Sequence, residues 1–427
     1  MFKPTLVPLL LLGAWMTAPA QNTSPHTFKK SQLSDKFWCE GATFGDLNRD
    51  RQPDIISGPY WYEGPSFQVR HEYYPATQTF TRKKPDGTEE KTEGFEGVLG
   101  EKNTYSDNFF AYVRDFNKDQ WNDILIIGFP GQQTAWYENP KGEKGHWKKH
   151  VVFQVTDNES PTFADLTGDG LPELVCASEG VYGYASPDWS DTAKPWKFHP
   201  ISPNNKYGKF THGMGIGDVN GDGRLDLLEK DGWWEQPAAL ANDPLWTFHK
   251  FAFTPGSHGG AQMYAYDVDG DGLNDVITSH AAHGFGLVWF RQIRTNDATS
   301  FEPQAILNTE QKRSPNKHGV SFSELHALDL IDMDGDGLKD IVTGKRFWSH
   351  GRTGDPDRNS AAVLYWFKLV RNPDRSVDFV PHLIDDASGV GVQVVAAMCS
   401  NDKYPDIVVG NKKGTFYFRH EVKKLTP

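Results

Sequence analysis

The sequence predicts an all-β chain: a seven-bladed β-propeller of four-stranded blades, with Asp-rich calcium turns and a ring closed by an N-terminal strand. Three observations predict it. An Asp-rich nonapeptide recurs seven times along the 427 residues. A short apolar run and then an aromatic cluster follow each copy. The composition, with 41 Gly, 27 Pro, 14 Trp, 15 Tyr and 27 Phe, suits short strands joined by tight turns.

The nonapeptides begin at Asp46 (DLNRDRQPD), Asp115 (DFNKDQWND), Asp165 (DLTGDGLPE), Asp218 (DVNGDGRLD), Asp267 (DVDGDGLND) and Asp332 (DMDGDGLKD). A decayed seventh copy begins at Met398 (MCSNDKYPD). Apolar runs such as Ile124–Ile127, Leu227-Leu228 and Ile407–Val409 read as the second strand of each blade. Trp61-Tyr62, Trp136-Tyr137, Tyr182–Tyr184, Trp233-Trp234, Trp289-Phe290, Tyr365-Trp366 and Phe416-Tyr417 read as the third. Segments such as Trp147–His150, Trp196–His199 and Trp246–His249 supply the outer strand. The seventh unit runs out of chain soon after Phe418, and Thr27–Lys30 resembles its missing outer strand. Radial closure then hides the sheet edges.

Residues 1–20 read as a signal peptide, with Lys3, an apolar run from Leu6 to Trp15 and the small-residue site Ala18-Pro19-Ala20. The expected product is an exported, periplasmic or extracellular protein, a single propeller over residues 21–427, with no membrane span. It is expected to be a monomer. The net charge of −12 argues against a nucleic-acid surface. Cys39, Cys176 and Cys399 are too few for a disulfide framework. One bond between Cys39 and Cys399 stays open, because ring closure would make their blades neighbours.

In D-x-[DN]-x-D-G-x-x-D, positions 1, 3, 5 and 9 can converge as hard oxygen ligands, which suits Ca²⁺. The candidates are Asp46, Asn48, Asp50 and Asp54; Asp115, Asn117, Asp119 and Asp123; Asp165, Asp169 and Glu173; Asp218, Asn220, Asp222 and Asp226; Asp267, Asp269, Asp271 and Asp275; and Asp332, Asp334, Asp336 and Asp340. The seven motifs hold 22 of the 56 acidic residues, so without them the net charge of −12 would become +10. Carboxylates so concentrated repel unless a cation sits among them. For any single copy the alternative is an Asp-Gly turn held by its own hydrogen bonds.

The histidines fall into two classes. His71, His150, His199, His249 and His382 recur on outer strands, which implies packing. His212, His258, His280, His283, His318, His326 and His350 do not follow the repeat. In a propeller the start of the first strand and the end of the second lie opposite the calcium turns, at the mouth of the central channel. His212, His258, His326, His280, His283, Lys230, Lys345 and Arg346 are therefore the candidate catalytic set. Glu159, Glu179 and Glu324 could add carboxylates there, and insertions at residues 76–105 and 346–362 would form a rim over the same face. A polar water-filled channel, a His-ligated Zn²⁺ or other transition metal, and metal-free acid–base chemistry all fit this set. No Ser-His-Asp, P-loop, HExxH or GxSxG pattern supports a standard hydrolase or nucleotide enzyme.

The repeats resemble the FG-GAP and VCBS repeats of secreted propellers over nearly the whole mature chain. That resemblance implies fold and calcium, and it leaves activity open. The chain is also similar to the propeller domain of aldos-2-ulose dehydratase in its Asp-rich turns, Trp-Tyr strands and His-bearing centre. This implies a carbohydrate lyase or dehydratase with a carbohydrate or other small-molecule ligand. The alternative is a non-catalytic propeller that binds a glycan or protein. Convergence of at least three of the five ring systems of His212, His258, His280, His283 and His326 would favour the metal enzyme.

Overall fold

The computed structural model describes residues 25–97, 102–295, 298–310, 312–351, 354–400 and 402–423. The signal-peptide reading lies outside these residues. All regular structure described is strand, and no helix is long and apolar enough to cross a membrane.

The strands form consecutive antiparallel meanders, a propeller-like arrangement. Unit 1 is Ala42–Gly45, Asp54–Ser57, Tyr60–Tyr62 and Arg70–Glu72. Unit 2 is Phe110–Arg114, Asp123–Ile127, Gln132–Glu138 and the first part of the long strand Lys148–Ala164. The rest of that strand opens unit 3, followed by Glu173–Ser178, Val181–Ser186 and Lys197–Pro200. Unit 4 is Met214–Gly217, Asp226–Glu229, Gly232–Glu235 and Thr247–Lys250. Unit 5 is Met263–Tyr266, Asp275–Ser279, Leu287–Thr295 and Ala298–Leu307. Unit 6 is Leu328–Ile331, Asp340–Gly344, Leu364–Arg371 and Val377–Asp385. Unit 7 is Val394–Ala397, Asp406–Asn411 and Gly414–Val422, completed by the N-terminal strand His26–Ser34. His26 pairs with Val422 and Phe28 with His420, so the first and last described strands share one sheet, as the Thr27–Lys30 segment predicted.

Innermost strands lie side by side. Gly215 pairs in parallel with Met263, and a Cβ there would come within 1.8 Å of the Met263 carbonyl oxygen, so only glycine fits this approach. Buried Leu, Ile, Val and Trp fill the space between units; Ile277, Trp289, Leu328, Ile341 and Phe367 belong to one such cluster.

Each Asp-rich turn is tied to its sheet by the ninth residue. Asp226 is fully buried; its Oδ2 accepts the Val219 amide at 2.9 Å and its Oδ1 the Gln236 amide at 2.9 Å. Asp54, Asp123, Asp275 and Asp340 repeat both bonds. Burial raises these carboxyls, Asp54 to about 6 and Asp123, Asp226, Asp275 and Asp340 to about 7. The third strand then reaches back to the preceding unit. Gln236 Nε2 donates to the Leu166 carbonyl at 2.9 Å, and Gln292 Nε2 to the Val219 carbonyl at 2.8 Å.

The outer-strand histidines stack on third-strand rings, as their recurrence predicted. His71 lies on Trp61 at 4.1 Å, His150 on Trp136 at 4.2 Å, His199 on Tyr184 at 4.7 Å, His249 on Trp233 at 4.1 Å and His382 on Trp366 at 4.5 Å. The Cys39–Cys399 bond left open by the sequence does not form. Both cysteines are free, and buried Cys39 sits 3.0 Å from the Ser57 hydroxyl.

Candidate functional site

Backbone hydrogen bonds within and between neighbouring units build the centre. The Glu159 amide of unit 3 donates to Thr211 O at 2.9 Å, and the His212 amide of unit 4 to His258 O at 2.9 Å. The Glu324 amide donates to Gly284 O at 2.9 Å, and the Arg346 amide to Glu324 O at 2.8 Å. Gly259 has φ +122°, and a Cβ on it would come within 1.8 Å of the His212 carbonyl oxygen. Glycine there lets the loop close on His212.

Three rings converge at this centre. His212, His283 and His326 each place one ring nitrogen so that all three lie within 4.8 Å of one another. His212 and His326 are 2% exposed. Nδ1 of His212 is 2.7 Å from the Phe210 carbonyl, which can only accept, so that nitrogen carries the proton. Nδ1 of His326 faces the Glu324 carbonyl at 3.3 Å in the same way. The nitrogens left without a hydrogen-bond partner are Nε2 of His212, Nε2 of His326 and Nδ1 of His283. Burial lowers His283 to about 2 and His326 well below the usual histidine range, keeping both rings neutral. Neutral imidazoles whose tautomer is fixed by an outer carbonyl are good metal ligands. A tetrahedral zinc with bonds of about 2.1 Å holds its nitrogens roughly 3.4 Å apart, so these rings fit after a small inward shift.

Charged groups surround the rings. Glu159 Oε2 lies 3.2 Å from His212 Nε2 and 3.3 Å from Arg346 Nη1. Burial alone would raise Glu159, but His212, Arg346 and His283 pull it down to about 2. Arg346 is 2% exposed and also faces Glu40 Oε2 at 3.2 Å. Glu324 is fully buried and raised to about 8, by burial first and then by the Asp355 charge. His350 is half exposed at the rim, and its Nδ1 lies 3.2 Å from the buried carboxylate of Asp355.

Both predicted insertions reach this face. Residues 346–362 supply Arg346, Ser349, His350 and Asp355. The other insertion carries the hairpin Thr79–Lys83/Glu89–Glu93, and its Tyr105 hydroxyl donates to the Ser349 carbonyl at 2.7 Å. Lys412 Nζ donates to Asn103 Oδ1 at 2.5 Å and to the Trp348 carbonyl at 2.7 Å, and burial lowers it to about 8. Tyr105 also walls an adjoining cavity of about 590 Å³, with Tyr74, Phe95, Phe129, Tyr137 and Asp107.

Of the eight predicted catalytic residues, His212, His283, His326 and Arg346 meet. Lys345 lies behind Glu324, its Nζ donating to Ser323 Oγ at 2.6 Å. His258, His280 and Lys230 are not brought to the cluster. His258 is exposed and contributes its carbonyl, and Lys230 pairs with Asp231. Glu40, Ser349, Asp355, Tyr105 and Lys412 were not foreseen. A signal for two of them is in the register. Six residues before the first residue of each turn stand Glu40, Phe109, Glu159, His212, Ala261, His326 and Val392. Fourteen residues after it stand Tyr60, Phe129, Glu179, Gly232, Ala281, Arg346 and Lys412.

In the turns, Asp267, Asp269 and Asp271 gather within 4.8 Å, as do Asp332, Asp334 and Asp336, and Asp165, Asp169 and Glu173. These are positions 1, 3 and 5 in the first two sets. Asp275 and Asp340, the expected fourth ligands, point their oxygens at backbone amides instead; the longer Glu173 joins its cluster. Arg291 already contacts Asp269 at 2.7 Å, and Lys368 contacts Asp334 and Asp336.

Comparison with known proteins adds to this geometry. Residues 115–176 match the FG-GAP-like repeat. No curated protein matches the chain. Similar solved structures include an Agrocybe aegerita lectin described as recognising non-reducing terminal N-acetylglucosamine, at 15% identity over 85% of this chain and 81% of that one, with a TM-score of 0.42. The Vibrio cholerae biofilm matrix protein Bap1 is similar at 16% identity over 67% of this chain and 41% of its own, with a TM-score of 0.35. A streptogramin B lyase is similar at 9% identity over 93% and 98%, with a TM-score of 0.41. Likenesses this shallow do not bear on activity.

Proposed function

We propose that the protein is an exported seven-bladed β-propeller, with calcium in at least some of its Asp-rich turns, whose centre binds a divalent transition metal through His212, His283 and His326. We further propose that it acts on a carbohydrate or related polyhydroxylated small molecule as a lyase or dehydratase. The observation that carries the metal reading is the convergence of three imidazoles, in which the facing nitrogens of His283 and His326 have no hydrogen-bond partner and that of His212 faces only the Glu159 carboxylate. Buried polar atoms without partners are costly, and a cation satisfies all three at once. The carbohydrate class rests on the sequence resemblance to the aldos-2-ulose dehydratase propeller, and export on residues 1–20.

A metal bound here would polarise a substrate carbonyl. The chain's own residues supply the proton chemistry. With Nδ1 held by Asp355, His350 presents Nε2 as the base. In a dehydration, that nitrogen takes the proton from the carbon next to the carbonyl. A carbon–carbon double bond forms, the bond to the β-oxygen breaks, and the hydroxyl leaves with a proton as water. Arg346 is tied to Glu40 and Glu159, so its role is to hold Glu159 beside His212. The aromatic cavity walled by Tyr105 favours a second reading, in which the same face holds a glycan without turnover.

The test is metal analysis of mature protein purified without chelator or His-tag, alongside His212→Ala and His326→Ala. Zinc, manganese or iron in the wild type and its loss from both variants is the expected result. Keto-sugars and oxidised glycosides would then be screened for ultraviolet-absorbing elimination products. Calcium without a transition metal would remove the enzyme reading and leave the binding one.

A further inference from the structure

Beside the three histidines lies a second group that shares His283 with them and whose other members the reading above does not use as ligands. One ligand atom each of His283, Glu324 and His350 lies within 4.8 Å of the others. His283 stands between the two groups. Its ring centre is 4.6 Å from those of His212 and His326 and 4.2 Å from that of His350.

The carboxylates of this group are short of partners. Glu324 is fully buried, and its Oε1 has no hydrogen-bond partner; nor has the buried Oδ2 of Asp355. The Ser349 hydroxyl contacts Glu324 Oε2 and also Asp355 Oδ1 at 3.1 Å. One hydroxyl carries one hydrogen, so it can donate to only one of the two carboxylates. Among the described residues, the ion-pair contacts of both carboxylates are all to histidines: His283 at 3.7 Å and His326 at 4.0 Å for Glu324, and His350 at 3.2 Å for Asp355. Lys345 is close enough to be felt by Glu324 but gives its hydrogen bond to Ser323. Lys345, Arg346 and Lys412 are near enough to act on these carboxylates and the His350 amide donates to Asp355 Oδ1 at 2.7 Å, yet none of them reaches Glu324 Oε1 or Asp355 Oδ2, and buried oxygens left unpartnered are costly.

We infer that the centre has a second divalent-cation position, held by Glu324, Asp355 and His350, with His283 between it and the first; His350 is a ligand when this position is filled and can act as the base only when it is empty. This rests on the reading of His212, His283 and His326 as the first position. The mixed oxygen and nitrogen donors suit Mn²⁺, Fe²⁺ or Zn²⁺. Two cations a few ångströms apart could hold two oxygens of one substrate, as neighbouring carbonyl and hydroxyl groups require.

The experiment uses the full mature chain, stripped of metal, returned to excess Ca²⁺ and then dialysed against Mn²⁺. Manganese is counted by mass spectrometry, and its spectrum is recorded by electron paramagnetic resonance. Wild type should hold two equivalents with the signature of an exchange-coupled pair. Asp355→Asn and His350→Ala should each fall to one equivalent with an isolated-ion spectrum, their circular dichroism unchanged. One uncoupled equivalent in the wild type would overturn the second position and leave a carboxyl pair sharing a proton. Two equivalents retained by both variants would also overturn it, because the second ion would then lie elsewhere. No bound manganese in the wild type, followed by none on repeating the dialysis with Zn²⁺, would instead defeat the first position and the second together.

Discussion

Arg346→Met should destabilise the protein by about 4 kcal/mol at neutral pH, and the loss should shrink in acid. The guanidinium joins three units across the centre, contacting Glu40 Oε2 at 3.2 Å and Glu159 Oε2 at 3.3 Å while 2% exposed. Methionine keeps much of the volume but leaves two buried carboxylates without their cation. Breaking a buried pair in this way costs roughly 3–5 kcal/mol. Glu159 still has His212 at 3.2 Å, so the penalty falls mainly on Glu40. Glu40 can escape by taking up a proton. An unfolded glutamate titrates at about 4.3, so holding it protonated at pH 7 costs about 2.7 pH units, or roughly 3.7 kcal/mol. At pH 5 the same uptake costs about 1 kcal/mol.

The sign follows from proton binding. In the variant the folded state holds a proton at Glu40 that the unfolded state releases above about pH 4.3, so the variant loses stability relative to wild type as pH rises. Unfolding entropy is about 2.1 cal/mol/K per residue, so some 400 residues give about 0.8 kcal/mol/K and a fall in Tm of about 5 °C. Differential scanning calorimetry of both proteins in excess Ca²⁺ at pH 5 and pH 7 measures it. Adding Glu40→Gln to the variant should recover most of the loss at pH 7. A fall of less than about 1 °C, or a loss that ignores both pH and the Glu40 change, would falsify the assignment of Arg346 as the clamp between units.

The other predictions concern the scaffold. Asp226→Ala removes the acceptor of two buried amides and should cost about 2–4 kcal/mol, equally with Ca²⁺ and with chelator. Asp332→Asn keeps an acceptor for the Gly335 amide but loses the one for the Gly337 amide, so it should cost about 1 kcal/mol in chelator and more where Ca²⁺ is present, which paired thermal melts would show. His420 is buried against Phe28 and lowered to about 4 by burial, so its contribution is full above pH 6.5 and is lost as pH falls towards 4, up to about 3 kcal/mol. Hydrogen exchange of the His26–Ser34 amides, corrected for intrinsic rates, should speed up over that window and should not in His420→Phe. His249→Ala should cost about 1 kcal/mol through its Trp233 stack and Glu235 contact, with metal content unchanged.

Much of the scaffold was legible because it repeats. Ile124–Ile127 and Trp136-Tyr137 announce paired strands through burial, and the wish of Trp61 or Trp233 for a flat partner explains the recurring outer histidine. The pairing of the first and last described strands was legible too, since Thr27–Lys30 fills a gap in unit 7. The turns were half legible. Aspartates at positions 1, 3 and 5 gather as spacing demands, but Asp275 and Asp340 serve the backbone. Spacing cannot show which way a carboxylate turns, and two unpaired amides nearby outbid a shared centre. The insertion residues Ser349 and Asp355 were not legible, because loop conformation follows no period.

Departure from the repeat was a useful guide to the centre, but not a sufficient one. His258 and His280 depart from it as much as His212 does, yet they lie apart from the cluster. For His212 and His326 what separates them is register, while His283, sixteen residues after the start of its turn, reaches the cluster from a loop. Glu40, Glu159, His212 and His326 occupy one repeat position, six residues before their turns, while the same position in units 2, 5 and 7 holds Phe109, Ala261 and Val392. Arg346 and Lys412 share another position, where other units carry Tyr60, Phe129 or Gly232. A repeating backbone delivers every residue at such a position to the same depth beside the axis. Identity there is free of the packing that fixes the outer histidines, so chemistry can differ from unit to unit without changing the fold. Part of the site on this scaffold is therefore a repeat position whose occupants change from unit to unit, and loops such as those of His283 and Asp355 supply the rest. Clearing His326 at such a position to Ala should remove metal binding and spare the sheet, in contrast to the loss of the Arg346 clamp.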